Sequence, residues 1–395
     1  MPRWGGAALL ITLALLTACA GSIPRVARQV PARGNALLTG VHPGPALDAL
    51  TISPANARAA LDAFAASCPR LALRSDPSGL TRPGDWSAPC QAAATWPRSA
   101  AARFFETWFD SARVGTGASF VTGYFEPEID GVRQKLPGFD VPVYRLPPDL
   151  VRARAGDAAL GPDGRTPLGR YDAKGRFTAY WDRAQIEDGA LSGQGLELAW
   201  AADPVALFFV QVQGSGRLRA PDGTIMRIGY AGENGWPYTG VGSVMNARGL
   251  IGGGPGQYWG SMQGIERYIR DHPDEGRALL RTNRSYVFFR DTTAMADAAT
   301  GPVGALSVAV APRVTLAVDP AFVPLGAPVF LTTDDPVVGG LWVAQDTGGA
   351  IKGPNRFDSF WGAGAEARRV AGGMSAHGRA LILLPRGALA RLTGQ

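Results

Sequence analysis

From Val303 onward, glycine and proline cut the chain into apolar runs too short to be helices. Ala305–Val310, Thr315–Val318, Val329–Thr332, Leu341–Ala344 and Ala380–Leu384 each run four to six residues, and Pro324-Leu325-Gly326 marks a turn between two of them. A buried helix needs about ten residues or more, whereas apolar runs of this length bounded by turn residues are strands. Many short strands joined by glycine-rich turns predict a small closed barrel. The whole chain carries the same bias, with 52 glycines and 31 prolines among 395 residues. At 46% hydrophobic and 18% charged it can build real cores, and its length allows two or three domains.

The N-terminus predicts a compartment. Met1-Pro2-Arg3 is a short positive start, and Ala7–Ala18 is apolar apart from Thr12 and Thr17. That length suits the core of a signal peptide and is too short to span a bilayer. It ends in Leu16-Thr17-Ala18-Cys19, which resembles the bacterial lipobox. The resemblance implies a signal peptide over 1–18, with Cys19 acylated as the new N-terminus. Ala20, rather than Asp, then implies sorting to the outer membrane of a Gram-negative cell, facing the periplasm. Residues 19–50 read as a tether, being rich in proline, glycine and small residues. In an oxidising compartment the two remaining cysteines, Cys68 and Cys90, read as a disulfide.

The net charge is +6, yet no Lys/Arg-rich tract and no aromatic pattern of an RNA-binding sheet is present, so no nucleic acid partner is expected. The three histidines, His42, His272 and His377, are scattered without metal spacing. They predict neither a metal site nor a Ser-His-Asp triad.

Asn56–Ala66 and Trp96–Val114 show helical periodicity, and Met262–Leu280 predicts a helix interrupted by Pro273. Ala118–Val143 reads as strands with a turn at Gly131–Gln134. Leu196–Tyr230 reads as the clearest β region. There Phe209–Gln213 alternates apolar and polar, Pro221-Asp222-Gly223 turns, and Thr224–Tyr230 returns as the partner strand. Ser285–Phe289 is a short apolar strand.

The chemistry concentrates in Val343–Gly364. Asp346 and Asp358 stand there among glycines, beside Lys352, Arg356, Phe357, Phe360 and Trp361. A carboxyl group beside aromatic rings is what acid catalysis on a sugar needs. Aspartate is equally a turn residue, so this segment by itself leaves both readings open. Three further blocks precede it: Thr122-Gly-Tyr124-Phe125-Glu126-Pro127, Val212-Gln213-Gly-Ser215-Gly216 and Gly229-Tyr-Ala-Gly-Glu-Asn234-Gly235. Asp319-Pro320 adds a third aspartate.

In this order, behind a lipobox, the blocks resemble the membrane-bound lytic murein transglycosylase A family, with its three-aspartate domain, from about residue 100 to about residue 380. Phe125 departs from the pattern, which often has a second tyrosine there. The resemblance implies a mainly β fold with some α: a double-psi β-barrel domain from residues 51–130 and 290–395, an inserted β-barrel-like domain over 131–289, and a groove between them for glycan. It also implies cleavage of the β-1,4 bond between N-acetylmuramic acid and N-acetylglucosamine, leaving a 1,6-anhydromuramoyl end, with no cofactor and no metal.

Asp358 matches the family's catalytic aspartate, acting first as acid and then as base, with Asp346 raising or orienting it. Thr122, Tyr124, Glu126, Gln213, Ser215, Asn234, Asp319 and Lys352 are the expected substrate contacts, and Tyr124 and Trp236 candidate stacking platforms for pyranose rings. Glu126 is a rival acid. For Asp319 a turn-capping role competes, for Ser215 a hairpin, and for Lys352 a solvated loop. Two other functions stay open. One is a hydrolase of the same glycan that uses a second carboxylate on water. The other is a non-catalytic glycan-binding module, since this barrel type also binds without turnover. Glycan strands and outer-membrane lipid are the expected partners; nothing in the residues singles out a murein synthase or hydrolase.

Overall fold

Six strands pair in a closed ring. Ser375–Pro385 runs antiparallel to Pro328–Thr333, which runs antiparallel to Gly340–Asp346. Gly340–Asp346 lies parallel to Thr315–Ala317, and that strand antiparallel to Arg356–Ala363. Arg356–Ala363 lies parallel to Ala118–Glu126, which pairs back onto Ser375–Pro385. The structure is a computed structural model and describes residues 34–161, 164–295 and 301–394. The expected signal peptide and the acylated Cys19 lie outside the described residues. Among the described residues no helix is long and apolar enough to cross a membrane.

The ring closes around Leu316, Val329, Leu341, Val343, Phe357 and Ile382, all fully buried. Helix Pro54–Leu71 covers its outside through Ala57, Leu61 and Phe64; its start is set by Pro54 at the first turn and by Ser53, whose hydroxyl accepts from Asn56 N. Cys68 near its end is disulfide-bonded to Cys90. A loop of this length contributes about 3 kcal/mol in the chain-entropy model. Replacing both cysteines by serine should therefore lower the urea midpoint by the equivalent of about 3 kcal/mol, and an unchanged midpoint would refute this.

The strand Ala118–Glu126 leaves the ring through Pro127 and becomes Glu128–Val132 in a second, six-stranded sheet. That sheet orders Val287–Asp291, Ile225–Glu233, Ser215–Arg219, Glu128–Val132, Glu197–Ala201 and Val141–Tyr144. A single bridge, Arg145 to Phe289, joins its two edges, so this part is barrel-like as well. Helix Pro204–Gln213 packs on it through Leu207 and Val210, and helices Met262–Asp271 and Pro273–Arg281 pack in turn against Phe208 of that helix.

Five local expectations are corrected. Residues 34–50 of the expected tether are folded onto the ring's flank, where Val41–Pro43 pairs antiparallel with Ala112–Val114 and Ala36 and Leu47 are buried. Helix continues from Ala101 only to Trp108; Phe109–Val114 is a strand, because its backbone pairs with Ile382–Pro385 on the ring's flank. Phe209–Gln213 lies in helix Pro204–Gln213, not a strand. Asp203 caps that helix by accepting from Val205 N at 2.8 Å, Pro204 opens it, and Gly214 ends it in the left-handed region at φ 78°. Five alternating residues are too few to outweigh those end signals. Ala305–Val310 is a loop that turns at Ser307 (φ 61°) rather than a strand. Gly131 and Val132 belong to a strand, so the expected turn begins after them.

Candidate active site

Strand register assembles the site. Asp358 lies opposite Thr122 on one side and Ala317 on the other, and Ala317 lies opposite Asp346. Thr122, Asp358, Ala317 and Asp346 thus form a row across four neighbouring strands. The side chain between the two aspartates is only a methyl group. The two-residue period of a strand puts Phe360 on the same face as Asp358, and the parallel register puts Tyr124 beside Phe360, with ring centroids 5.0 Å apart. Phe357 points the other way, into the ring core.

Each carboxylate has distinct partners. The Thr122 hydroxyl donates to Asp358 Oδ1 at 2.7 Å and accepts from the Arg356 guanidinium at 2.8 Å. Asp346 Oδ1 accepts from Ala305 N and Thr347 N, both at 2.9 Å, and Oδ2 accepts from the Tyr124 hydroxyl at 3.0 Å. Burial raises the Asp358 carboxyl to about 6, against the lowering pull of Arg356 and of the Thr122 hydroxyl, with Asp346 adding a smaller push upward. Burial raises the Asp346 carboxyl too, opposed by its three donors. The Tyr124 hydroxyl is pushed well up by burial and by Asp346, so it stays a donor. A carboxyl group poised near 6 can both give and take a proton close to neutrality.

The loop between the two aspartates is held from below. Asp319 Oδ2 accepts from Gly353 N at 2.8 Å while its Oδ1 accepts from Ala321 N at 3.1 Å. Asp319 therefore caps its own turn and pins the loop that leads to Asp358. Lys352 stands exposed at the loop's crest.

Two residues of the inserted part approach this site. Tyr238 lies against the loop: a Cβ on Gly349 would sit 4.0 Å from Tyr238 Cβ. Burial raises the Tyr238 hydroxyl, Arg183 opposes this, and the charge of Asp358 adds to it. Burial also raises the half-buried Glu233 carboxyl, offset by Lys352 on the opposite loop. Neither residue stands out in the sequence by itself. Both lie within or just after the Gly229–Gly235 block, which was the available signal. Arg356 was visible as well, since two residues before Asp358 in a strand means the same face.

The other expected contacts are placed differently. Glu126 is 1% exposed, and its Oε2 accepts from Arg217 Nε and Arg227 Nη2, both at 2.8 Å. It is a buried clamp between ring and second sheet, closed to a glycan. Asn234 is 1% exposed; its amide donates to Trp181 O and Arg284 O and its oxygen accepts from Tyr286 N. Gln213 Oε1 accepts from Phe125 N at 3.1 Å, bracing the junction of the two parts, and Ser215 beside it is 8% exposed. Tyr124 is too buried, at 7% exposed, to be a stacking platform. One face of Trp236 is covered by the Arg284 guanidinium, 3.3 Å from the ring centroid.

Two family models match this architecture: the MltA specific insert domain over residues 120–290 and the 3D domain over residues 314–384. A membrane-bound lytic murein transglycosylase A from Escherichia coli strain K12 is 33% identical over 274 residues, 66% of this chain and 64% of the relative. The match thus spans just under two thirds of that curated relative's length. Among solved structures, a membrane-bound lytic murein transglycosylase from Agrobacterium tumefaciens is similar with a TM-score of 0.70 and 35% identity, covering 79% of this chain and 87% of the other. E. coli MltA with bound chitohexaose gives a TM-score of 0.61 at 26% identity, covering 87% and 94%. With both family models in chain order, and a relative of known structure matched over most of its length, the chain belongs to the membrane-bound lytic murein transglycosylase A family.

Proposed function

We propose that the chain is a lytic murein transglycosylase. It cleaves the β-1,4 bond between N-acetylmuramic acid and N-acetylglucosamine in peptidoglycan and leaves a 1,6-anhydromuramoyl end. The observation that carries this reading is Asp358, raised to about 6 by burial and hydrogen-bonded by Thr122. Asp358 protonates the bridging oxygen as the bond breaks, then takes the proton of the muramoyl C6 hydroxyl as that oxygen closes onto C1. One carboxyl group suffices because no water is activated. Asp346 is poorly suited to act as a water-activating base, since both its oxygens already accept hydrogen bonds. The binding of chitohexaose by a relative supports a glycan in the same groove. In this reading the ring, from 51–130 and 290–395, supplies the acid, and the inserted 131–289 covers it. Acylated Cys19 tethers the enzyme to the periplasmic face of the outer membrane.

The test is mass spectrometry of murein sacculi digested by the protein beside an Asp358→Asn control. Anhydromuropeptides from the unsubstituted protein alone are expected. Reducing muropeptides would make it a hydrolase, and binding to sacculi without product would make it a binding module.

The acid must be protonated to work, so kcat/KM should fall as pH rises through about 6. Thr122→Val removes a hydrogen bond that favours the carboxylate, so that limb should move to higher pH. A limb that stays in place would mean that another group is titrating.

A further inference from the structure

A cavity of about 340 Å³ adjoins the turn that carries Asp319. Pro320 and Leu325 form one wall, Trp86 and the end of helix Pro54–Leu71 another, and Arg165, from the inserted residues 131–289, completes the lining. The cavity is therefore built by both parts of the chain. Its wall includes Pro320, Pro324 and Leu325 of the turn that begins at Asp319, and Asp319 in turn pins at Gly353 the loop that leads to Asp358. It lies at the lower end of the usual range for small-molecule sites, roughly 300–1,000 Å³. That is room for a short peptide and too little for a glycan strand.

Its charge is one-sided. The one carboxylate in the lining, Asp76, is already satisfied by Ser78 N and Thr81 N, both at 2.9 Å, and by both hydroxyls of those residues. Arg165 has a partner of its own. Arg74 is exposed, and its guanidinium has no hydrogen bond or ion pair among the described residues. A forked donor beside proline, leucine and tryptophan surfaces fits a carboxylate on a small, partly apolar chain.

We propose that this cavity binds the acidic peptide stem of murein, with Arg74 taking a stem carboxylate and Trp86 and Leu325 the adjoining alanyl side. The proposal rests on the reading of the chain as a murein enzyme. Stems branch sideways from muramoyl residues, so a strand lying over Asp358 can send one past the pinned loop toward the 319–325 turn. The stem then sets which muramoyl bond reaches Asp358, which makes the cavity a specificity element and leaves the chemistry unchanged.

The test uses the full chain in detergent and the synthetic tripeptide L-alanyl-γ-D-glutamyl-meso-diaminopimelate as probe, titrated calorimetrically against unsubstituted protein, Arg74→Glu and Arg74→Lys. Arg74 is exposed, and an unchanged melting temperature will confirm that each variant is folded. Binding by the unsubstituted protein, weakened at least about tenfold in Arg74→Glu and partly retained in Arg74→Lys, is expected for a charge-assisted contact. In kinetics, Arg74→Glu should raise KM several-fold on peptide-bearing murein, with kcat unchanged, and leave cleavage of peptide-stripped glycan as it was. Absence of tripeptide binding, or equal binding by all three proteins, overturns the proposal. So does displacement of the tripeptide by phosphatidylglycerol vesicles through Arg74, which would make this a membrane-facing surface. If the tripeptide binds as expected but sacculi yield no product, the cavity stands and the catalytic reading falls.

Discussion

Asp358→Asn is expected to lower kcat by at least about 1,000-fold while leaving glycan binding intact. A single positioned acid or base contributes about 10²- to 10⁴-fold, and here one group serves both steps. The same substitution should make the protein more stable at neutral pH. The Asp358 carboxyl is raised from the ordinary 3.8 to about 6, so the folded state holds this proton more tightly than the unfolded chain does. The ionised group therefore weakens the fold most above pH 6, and the penalty fades as pH falls toward the unfolded value near 3.8. Full conversion of that difference is about 3 kcal/mol. Asp358 is only half-buried, so about 1–2 kcal/mol is the better expectation. Melting curves at pH 7 and pH 4 decide the matter: Asp358→Asn should melt higher than the unsubstituted protein at pH 7, and the gap should close at pH 4. A variant that lost activity without that pH-dependent gain would have lost it for another reason, such as a displaced strand.

Glu126→Gln is expected to have the opposite profile. Glu126 Oε2 bridges Arg217 and Arg227, and Arg227 is itself 6% exposed. Removing the charge leaves two guanidiniums facing each other at the junction of ring and second sheet. Breaking a buried ion pair from one side costs about 3–5 kcal/mol. The urea midpoint should drop accordingly, whereas kcat per folded molecule, and its limb near pH 6, should persist. A 1,000-fold loss of kcat with unchanged stability would instead identify Glu126 as the acid. The two substitutions thus separate two carboxylates that a motif displays side by side.

That contrast shows how sequence and tertiary structure divide the information. Short strands between glycine and proline already predict a β architecture closed on itself, because runs of four to six apolar residues are too short for buried helices and closure leaves no strand edge unpaired. Pro273 splitting two helices was equally legible, since a proline N–H is missing wherever it falls. Asp346 and Asp358 were legible as candidates from their glycine and aromatic surroundings. Thr122 and Tyr124 were legible only through family resemblance, because nothing local says which distant strand lies beside Asp358. The parallel register of Arg356–Ala363 on Ala118–Glu126 decided that.

The misplaced expectations have the same origin. Phe209–Gln213 alternates like a strand, yet its cap at Asp203 and its stop at Gly214 make it helical. Glu126 and Asn234 look like glycan ligands because they are polar residues in glycine-rich blocks. The fold spends them inside, one on two arginines and the other on backbone groups that no strand partner reaches. Residue type and order determined that this chain forms a glycine-rich barrel bearing acidic groups. Which carboxylate meets solvent across a groove, and which is locked in an ion pair, was decided only when strands far apart in sequence came into register, because burial and charge neighbours are properties of packing.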